Sequence, residues 1–293
     1  MPTAPEIELE RYLRTGESDP LARTWPGNDV FARARRGDTT LRDALIAEVR
    51  RRTPQASVPQ ALAATDVASF TRSKVEPMVR GLFPADEQET VLNALADSVV
   101  FLTPDSIDRV LATTPYLRTA WLLANIYLTS AGADPLSEDA PRIVGLSEST
   151  TCFVSADYFD THEALADFVV HEAAHVFHNC KRRTIGLPEP RRREWLLEIA
   201  FSKRETFAYV CEAYSRLLEL GGSRASRQAL LSEHAVGPMP ADTDVDASEY
   251  LDILRAAIAA RNGWKRILQA CAPVRTRRGL QPFEVPVCEA DSE

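Results

Sequence analysis

The sequence predicts a mainly helical α+β fold with one small β-sheet. Prolines and helix-capping residues divide the first 140 residues into short helical segments, and strand patterns are confined to two short runs after residue 141. The 293 residues suffice for one large or two ordinary domains, and a polar link with Gly and Pro at 131–141 marks the expected boundary. We therefore predict a helical N-terminal region, 1–140, and a second domain, 141–293.

Start and stop signals define the helices of the N-terminal region. Thr40 and Asp43 form a capping-box-like start for a helix that ends near residue 52, just before Pro54. The later segments begin at prolines that suit a first helical turn, namely Pro59, Pro84, Pro104 and Pro115. The last segment, 115–130, is apolar on nearly all sides, which predicts a helix buried against the second domain.

The second domain is expected to contain both strands and the longer helices. Its elements are strands over 142–146 and 151–155 and helices over 160–179, 190–221, 226–234 and 246–271. Capping boxes begin at Asp160 and Asp246, Pro190 suits a first helical turn, and Gly221 is a typical helix end.

Composition and charge exclude several classes of function. The chain has 42 acidic and 34 basic residues and a formal charge of −8, which argues against a dedicated nucleic-acid binder. We expect no signal peptide and no membrane span, because the N-terminus is acidic and no long apolar run occurs. Five cysteines without a close CxxC pair predict reduced thiols and a cytoplasmic location.

The strongest chemical signal is an HExxH motif at 171–175. In a helix, His171 and His175 stand one turn apart on one face, so both imidazoles can bind one metal ion. Glu172 is rotated about 100° from His171 and can act as a general base on water without being a ligand. We predict Zn²⁺ as the metal and Fe²⁺ as the alternative, because both ions accept two histidines and a carboxylate.

A third protein ligand is needed to complete such a site. The helix predicted over 190–221 offers Glu198, Glu205 and Glu212, whose spacing of seven residues places them on one helical face. Ala208 lies one turn after Glu205 and would let this helix pack closely on the helix that carries the HExxH motif, called here the metal helix. We therefore favour Glu205 as the third ligand.

Two other histidines are close in sequence to the motif. His178 also lies near the face of His171, but one helix cannot easily wrap three ligands around a tetrahedral ion. We therefore expect His178 to pack against or support a ligand. We expect His162 to lie on the surface.

The motif and the glutamate that follows it resemble the gluzincin metallopeptidases, especially compact bacterial members, the minigluzincins and repressor-cleaving regulators. The resemblance covers about residues 151–220, in which 29 residues separate His175 from Glu205. It implies a zincin-like second domain and a zinc-dependent peptidase. It further implies His171, His175 and Glu205 as metal ligands and Glu172 as the catalytic base.

The resemblance carries three further implications. Tyr209 stands where better-known members have an acid four residues after the ligand glutamate, and Glu212 could substitute as the partner of a ligand imidazole. A strand before the metal helix usually aligns the substrate by main-chain pairing, and 151–155 occupies that place. The oxyanion of the reaction would be stabilised by one of three candidates, His234, Tyr209 or Tyr214.

The segment 181–204 reverses the acidic charge of the chain, with eight basic residues against three acidic ones. It predicts either a basic collar that attracts an acidic substrate or ion pairing with the acidic N-terminal half. We expect a peptide or protein substrate, acidic in the first of these cases, and neither nucleic acid nor membrane as a partner. Two other functions stay open: a non-haem iron oxygenase and a metal-stabilised regulatory protein without turnover.

Overall fold

The computed structural model describes residues 2–160, 163–190 and 193–274. The described elements, in chain order, are α1 (Ala4–Thr15), α2 (Val30–Arg52), α3 (Gln60–Ala63), α4 (Val67–Leu82), α5 (Ala85–Ala96), β1 (Val99–Leu102), α6 (Ile107–Thr113), α7 (Leu117–Ser130), β2 (Gly145–Glu148), β3 (Thr151–Ser155), α8 (Phe168–Asn179), α9 (Arg204–Leu220), α10 (Arg224–His234), α11 (Ala247–Ala259) and α12 (Gly263–Cys271). The predicted mainly helical fold with a small sheet is confirmed. Within the described ranges, no helix has both the length and the apolar character needed to cross a bilayer.

The sheet has three strands in the order β1-β3-β2. β1 pairs with β3 in parallel, with Val99 opposite Cys152, and β2 pairs with β3 antiparallel, with Gly145 opposite Val154. The predicted strand at 151–155 is confirmed, and β2 overlaps the predicted run at 142–146. β1 was not predicted, because a four-residue apolar run is too short for its periodicity to distinguish a strand from a buried helix.

The sheet separates two hydrophobic cores. In β3, Cys152 and Val154 pack into one core with α4, α5, α8, α9, α11 and α12, whereas Phe153 packs into another with α2, α6 and α7. Successive side chains of a strand point to opposite faces, so the alternation of β3 assigns its residues to the two cores. The helix α7 is buried along most of its length, as predicted, but it packs mainly against α2 and α6 of the N-terminal region and meets the second domain chiefly at β3. Its buried Asn125 side chain accepts a hydrogen bond from the Leu136 amide.

The boundary near residue 140 stays a prediction. β1 belongs to the N-terminal region and β3 to the second domain, yet they pair directly. α4 and α5 likewise share a core with α8 and α9. Sheet and core are therefore continuous across the expected boundary.

Several predicted helix boundaries were wrong. α2 begins at Val30, with Asp29 capping the Ala32 amide, so Thr40 lies inside the helix. α8 begins at Phe168, with Asp167 as its cap, and Asp160 instead ends a short 3-10 turn. The predicted last helix is two helices, because the chain turns at 260–262 before α12 begins.

The second long helix also begins later than predicted, at Arg204 rather than Pro190. The chain before it runs alongside the end of α8: the amides of Leu196 and Leu197 donate to the carbonyls of Cys180 and Phe177. These amides donate to the end of α8 and its C-cap residue instead of to carbonyls four residues earlier in their own segment, so the helix starts only after a 3-10 turn at Phe201–Lys203.

Candidate metal centre

The helix α8 presents the HExxH motif from within the core. The Asp167 side chain accepts a hydrogen bond from the Val170 amide at its first turn, and residues such as Ala173, Ala174 and Phe177 are fully buried. The remaining face carries His171 and His175, whose ring centres lie 5.0 Å apart. Helical spacing thus places both imidazoles on one side, as predicted.

Glu205, in the first turn of α9, supplies the third converging group. The Nε2 atoms of His171 and His175 are 3.2 Å apart, and Glu205 Oε2 lies 3.8 Å and 3.4 Å from them. Ligand atoms of a tetrahedral zinc ion, at about 2.0–2.1 Å from the metal, are about 3.3 Å apart. The three separations therefore fit one face of a tetrahedral site.

The hydrogen bond between His171 Nδ1 and Glu212 determines which nitrogen of His171 can bind a metal ion. His171 Nδ1 lies 3.0 Å from Glu212 Oε2, and Glu212 Oε1 accepts the Asp167 amide at 2.7 Å. An ionised carboxylate can only accept, so Nδ1 of His171 carries the proton and Nε2 keeps its lone pair. Glu212 thus makes the contact with His171 that is expected of a partner of a ligand imidazole.

Two side chains at the end of α8, those of His178 and Asn179, continue a hydrogen-bond network from His175. Its Nδ1 lies 3.1 Å from His178 Nε2, and His178 Nδ1 lies 3.1 Å from Asn179 Oδ1. Because the amide oxygen only accepts, His178 Nδ1 is protonated, His178 Nε2 accepts, and His175 Nε2 keeps its lone pair. Burial lowers the pKa of His178 to about 3, which keeps its imidazole neutral.

The donor set is therefore suited to a divalent cation. Two imidazole nitrogens and a carboxylate oxygen converge on one point, where a metal ion can replace a shared proton. Burial raises the pKa of Glu205, but the hydrogen bond to His175 and the nearby imidazoles outweigh it and hold the carboxylate pKa below its ordinary value. Zinc and iron both accept this combination.

Glu172 faces the strand β2 rather than α9. It is buried, and its Oε2 has no hydrogen-bond partner among the described residues. Burial raises the pKa of Glu172 to about 8; His175 opposes the shift, whereas the charges of Glu205 and Glu212 add to it. A buried carboxyl group beside the ligands with one free oxygen has the placement that a general base needs.

A glycine makes room for this carboxylate. A Cβ atom at Gly145 of β2 would lie 2.5 Å from Glu172 Oε1 and 2.8 Å from its Cγ, closer than non-bonded atoms approach. Gly145 was not predicted to be part of the site. An isolated glycine inside a strand pattern often marks such a close approach and was the available signal.

The site opens into a cavity of about 1100 Å³. Of the three oxyanion candidates, Tyr209 and His234 line this cavity, whereas Tyr214 packs against Trp264, with ring centres 4.8 Å apart. The Tyr209 ring lies 4.5 Å from that of His171, and burial raises the pKa of Tyr209 to about 12, so its hydroxyl keeps a proton to donate. His234 Nε2 lies 3.0 Å from the Tyr250 hydroxyl, and burial lowers its pKa.

The glutamates considered as third ligands occupy different places. Glu198 precedes α9 and lines a separate depression with Trp195, so the expectation that it shares a helical face with Glu205 was wrong. Its displacement follows from the late start of α9. Glu205 alone of the three brings an oxygen next to both Nε2 atoms.

The expectation that the strand at 151–155, β3, aligns a substrate was wrong. β3 lies in the middle of the sheet, and its two edges are already paired with β1 and β2. Within the described residues β2 is the outer strand on the side of the cavity, and Gly145, Leu146 and Ser147 line the cavity. Backbone groups for pairing with an extended peptide are thus offered by β2.

Most described cations of the segment 181–204 pair with acidic residues of the same chain. The pairs are Lys181–Glu194, Arg182–Glu87, Arg183–Glu189 and Lys203–Glu249. Only the buried Arg182 pairs with the N-terminal half. Arg191, Arg192 and His162 lie outside the described residues. The pairing supports internal ion pairs over a broad basic collar.

Comparisons with known proteins give no match for this chain, whether with protein-family models, curated proteins or solved structures. The resemblance to gluzincins therefore stays a prediction that rests on the motif and on the arrangement of its side chains.

Proposed function

We propose that this protein is a zinc-dependent peptidase in which His171, His175 and Glu205 hold the metal. The observation that carries the proposal is the convergence of these three donors beside Glu172, a buried carboxyl group outside the donor set. Ligands and a separate base are the two components that metal-assisted hydrolysis requires.

Zinc bound to such donors supplies Lewis acidity, which lowers the pKa of water and polarises a carbonyl group. Glu172 then accepts one proton from the attacking water as the new C–O bond forms at the scissile carbon. The same carboxyl group passes that proton to the amide nitrogen as the C–N bond breaks, which releases a carboxylic acid and an amine.

Other side chains of the cavity suit a peptide substrate. Within the described residues β2 is an outer strand of the sheet and can offer its edge to an extended chain, and Tyr209 or His234 can donate a hydrogen bond to the oxyanion. A cytoplasmic location belongs to the same proposal, and its support is that the four described cysteines are free and buried.

The test combines metal analysis with peptide cleavage. Protein purified without a metal-binding tag is expected to contain about one zinc per chain and to cleave members of a peptide library, with activity lost on chelation and restored by zinc. Glu198→Gln is a matched control, because this glutamate lies outside the cavity.

Other outcomes would replace the proposal. Stoichiometric iron with oxygen-dependent chemistry would indicate the oxygenase alternative. Bound zinc without cleavage of any library peptide would indicate a metal-stabilised regulatory protein.

A further inference from the structure

The cavity contains a cation that the proposed mechanism does not use. Arg204, the first residue of α9, precedes the ligand Glu205 and lines the same cavity as His171 and His175. Its guanidinium carbon lies 5.1 Å from the ring centre of Phe201, which is 81% exposed and also lines the cavity. Stacking on an aromatic ring restricts a guanidinium group and keeps its edge available for hydrogen bonds.

Arg204 differs from its neighbours in having no acidic partner among the described residues. Lys203 pairs with Glu249 and Arg183 with Glu189, whereas the buried Nε atom of Arg204 meets no hydrogen-bond acceptor in the described chain. Within the described residues, no carboxylate therefore competes with a ligand for this guanidinium group. Arg204 is half-buried and lines the cavity, so a ligand would reach the part of its guanidinium group that faces the cavity.

The charges of the side chains that line the cavity favour binding of an incoming anion near Arg204. Acidic side chains line the cavity from other elements, namely Glu163, Glu233, Asp242 and Asp244. They repel a carboxylate, whereas Arg204 attracts it and can bind both oxygens through parallel N–H donors. Among the described residues, the cavity has one other lining arginine, Arg142, which is exposed. Arg204 is half-buried and stacked on Phe201, so it is better placed than Arg142 to select an acidic ligand.

We propose that Arg204 binds a carboxylate of the substrate, so that the site selects peptides with a negative charge near the scissile bond. An acidic side chain and a free C-terminus supply the same chemical group. The inference rests on the proposed peptidase function, whose substrate class it specifies.

The experiment measures binding separately from cleavage. Zinc-loaded Glu172→Gln protein is titrated by calorimetry with N-acetylated alanine hexapeptides that carry one Glu or one Gln at each position in turn. Each peptide is made with a free and with an amidated C-terminus, so that the two sources of carboxylate are distinguished. Wild-type protein is assayed for cleavage of the same peptides.

We expect at least one carboxylate peptide to bind about 10- to 100-fold more tightly than its amide counterpart. Arg204→Gln in the same background should abolish this preference, and Arg204→Lys should restore part of it because lysine keeps the charge without the forked donors. Arg183→Gln, which removes a largely exposed arginine paired with Glu189, should leave the preference unchanged. Zinc content and thermal unfolding confirm that each variant is folded and loaded.

Absence of any carboxylate preference, or an equal loss for acid and amide peptides in Arg204→Gln, would overturn the proposal. Cleavage by wild-type protein with no such preference would leave the peptidase standing without the role of Arg204. Selective binding that depends on Arg204, without cleavage of any peptide, would leave this role standing and contradict the peptidase.

Discussion

The two sides of α8 differ in how their polar groups are held. On the side facing α9, the Nδ1 atoms of His171 and His175 both have hydrogen-bond partners, Glu212 and His178. On the side facing β2, Glu172 is equally buried, yet its Oε2 has no partner among the described residues.

This difference matches two different tasks. Metal ligands must keep one orientation and one tautomer, which hydrogen bonds to their distal nitrogens enforce. A general base must instead exchange a proton during the reaction, so a free oxygen is an advantage. Changes on the α9 side should therefore alter metal affinity, and changes on the β2 side should alter turnover alone.

Glu172→Gln should give the largest effect on turnover. The amide keeps the shape of the side chain but cannot accept the proton, so kcat should fall about 100- to 10,000-fold. Zinc affinity should stay near that of wild type. Steady-state kinetics and a chelator competition on the same preparation measure both quantities, and undiminished hydrolysis would refute the role of Glu172.

Gly145→Ala should perturb the β2 side without removing a functional group. The added methyl group would displace the Glu172 carboxyl, and a displacement of about 1 Å can cost about 100-fold in rate. Gly222→Ala is the matched control, because no described atom outside its local backbone lies within 4 Å of the added Cβ. Equal activity of the two variants would show that the position of Glu172 is not critical.

Glu212→Ala should act on the α9 side. It removes the acceptor of His171 Nδ1 and also leaves the buried Asp167 amide without its partner. Zinc affinity should fall about 10- to 100-fold, the usual effect of losing a group that orients a ligand. A competitive titration that finds wild-type affinity would separate Glu212 from the metal centre.

His178→Ala should produce a smaller loss of zinc affinity, about 10-fold, at the lower end of that range. His178 is neutral, so its hydrogen bond to His175 lacks the charge that strengthens the one from Glu212. Asn179→Asp in the otherwise wild-type protein is an informative companion, because it places a negative charge beside His178 Nδ1 and should raise zinc affinity. A loss of zinc affinity larger than that of Glu212→Ala would show that His178 contributes more to the metal site than Glu212 does.

The predictable part of the structure was local. Helical spacing was enough to predict that His171 and His175 share a face, and the β-branched and aromatic residues of 151–155 were enough to predict β3. The start of α9 was not predictable, because the amides of Leu196 and Leu197 bond to carbonyls on α8 that only the folded chain brings near. β1 was missed for a similar reason, since pairing with a strand about 50 residues away defines it.

The proposed metal site of His171, His175 and Glu205 depends most on Glu205, the ligand that lies outside the HExxH motif. The direct measurement is a zinc titration against a competing chelator for Glu205→Ala, Glu212→Ala and Glu198→Ala. The structure predicts the greatest loss of affinity for Glu205→Ala, a lesser loss for Glu212→Ala and wild-type affinity for Glu198→Ala. Wild-type zinc affinity in Glu205→Ala, or the greatest loss of affinity in Glu198→Ala, would show that Glu205 is not the third ligand.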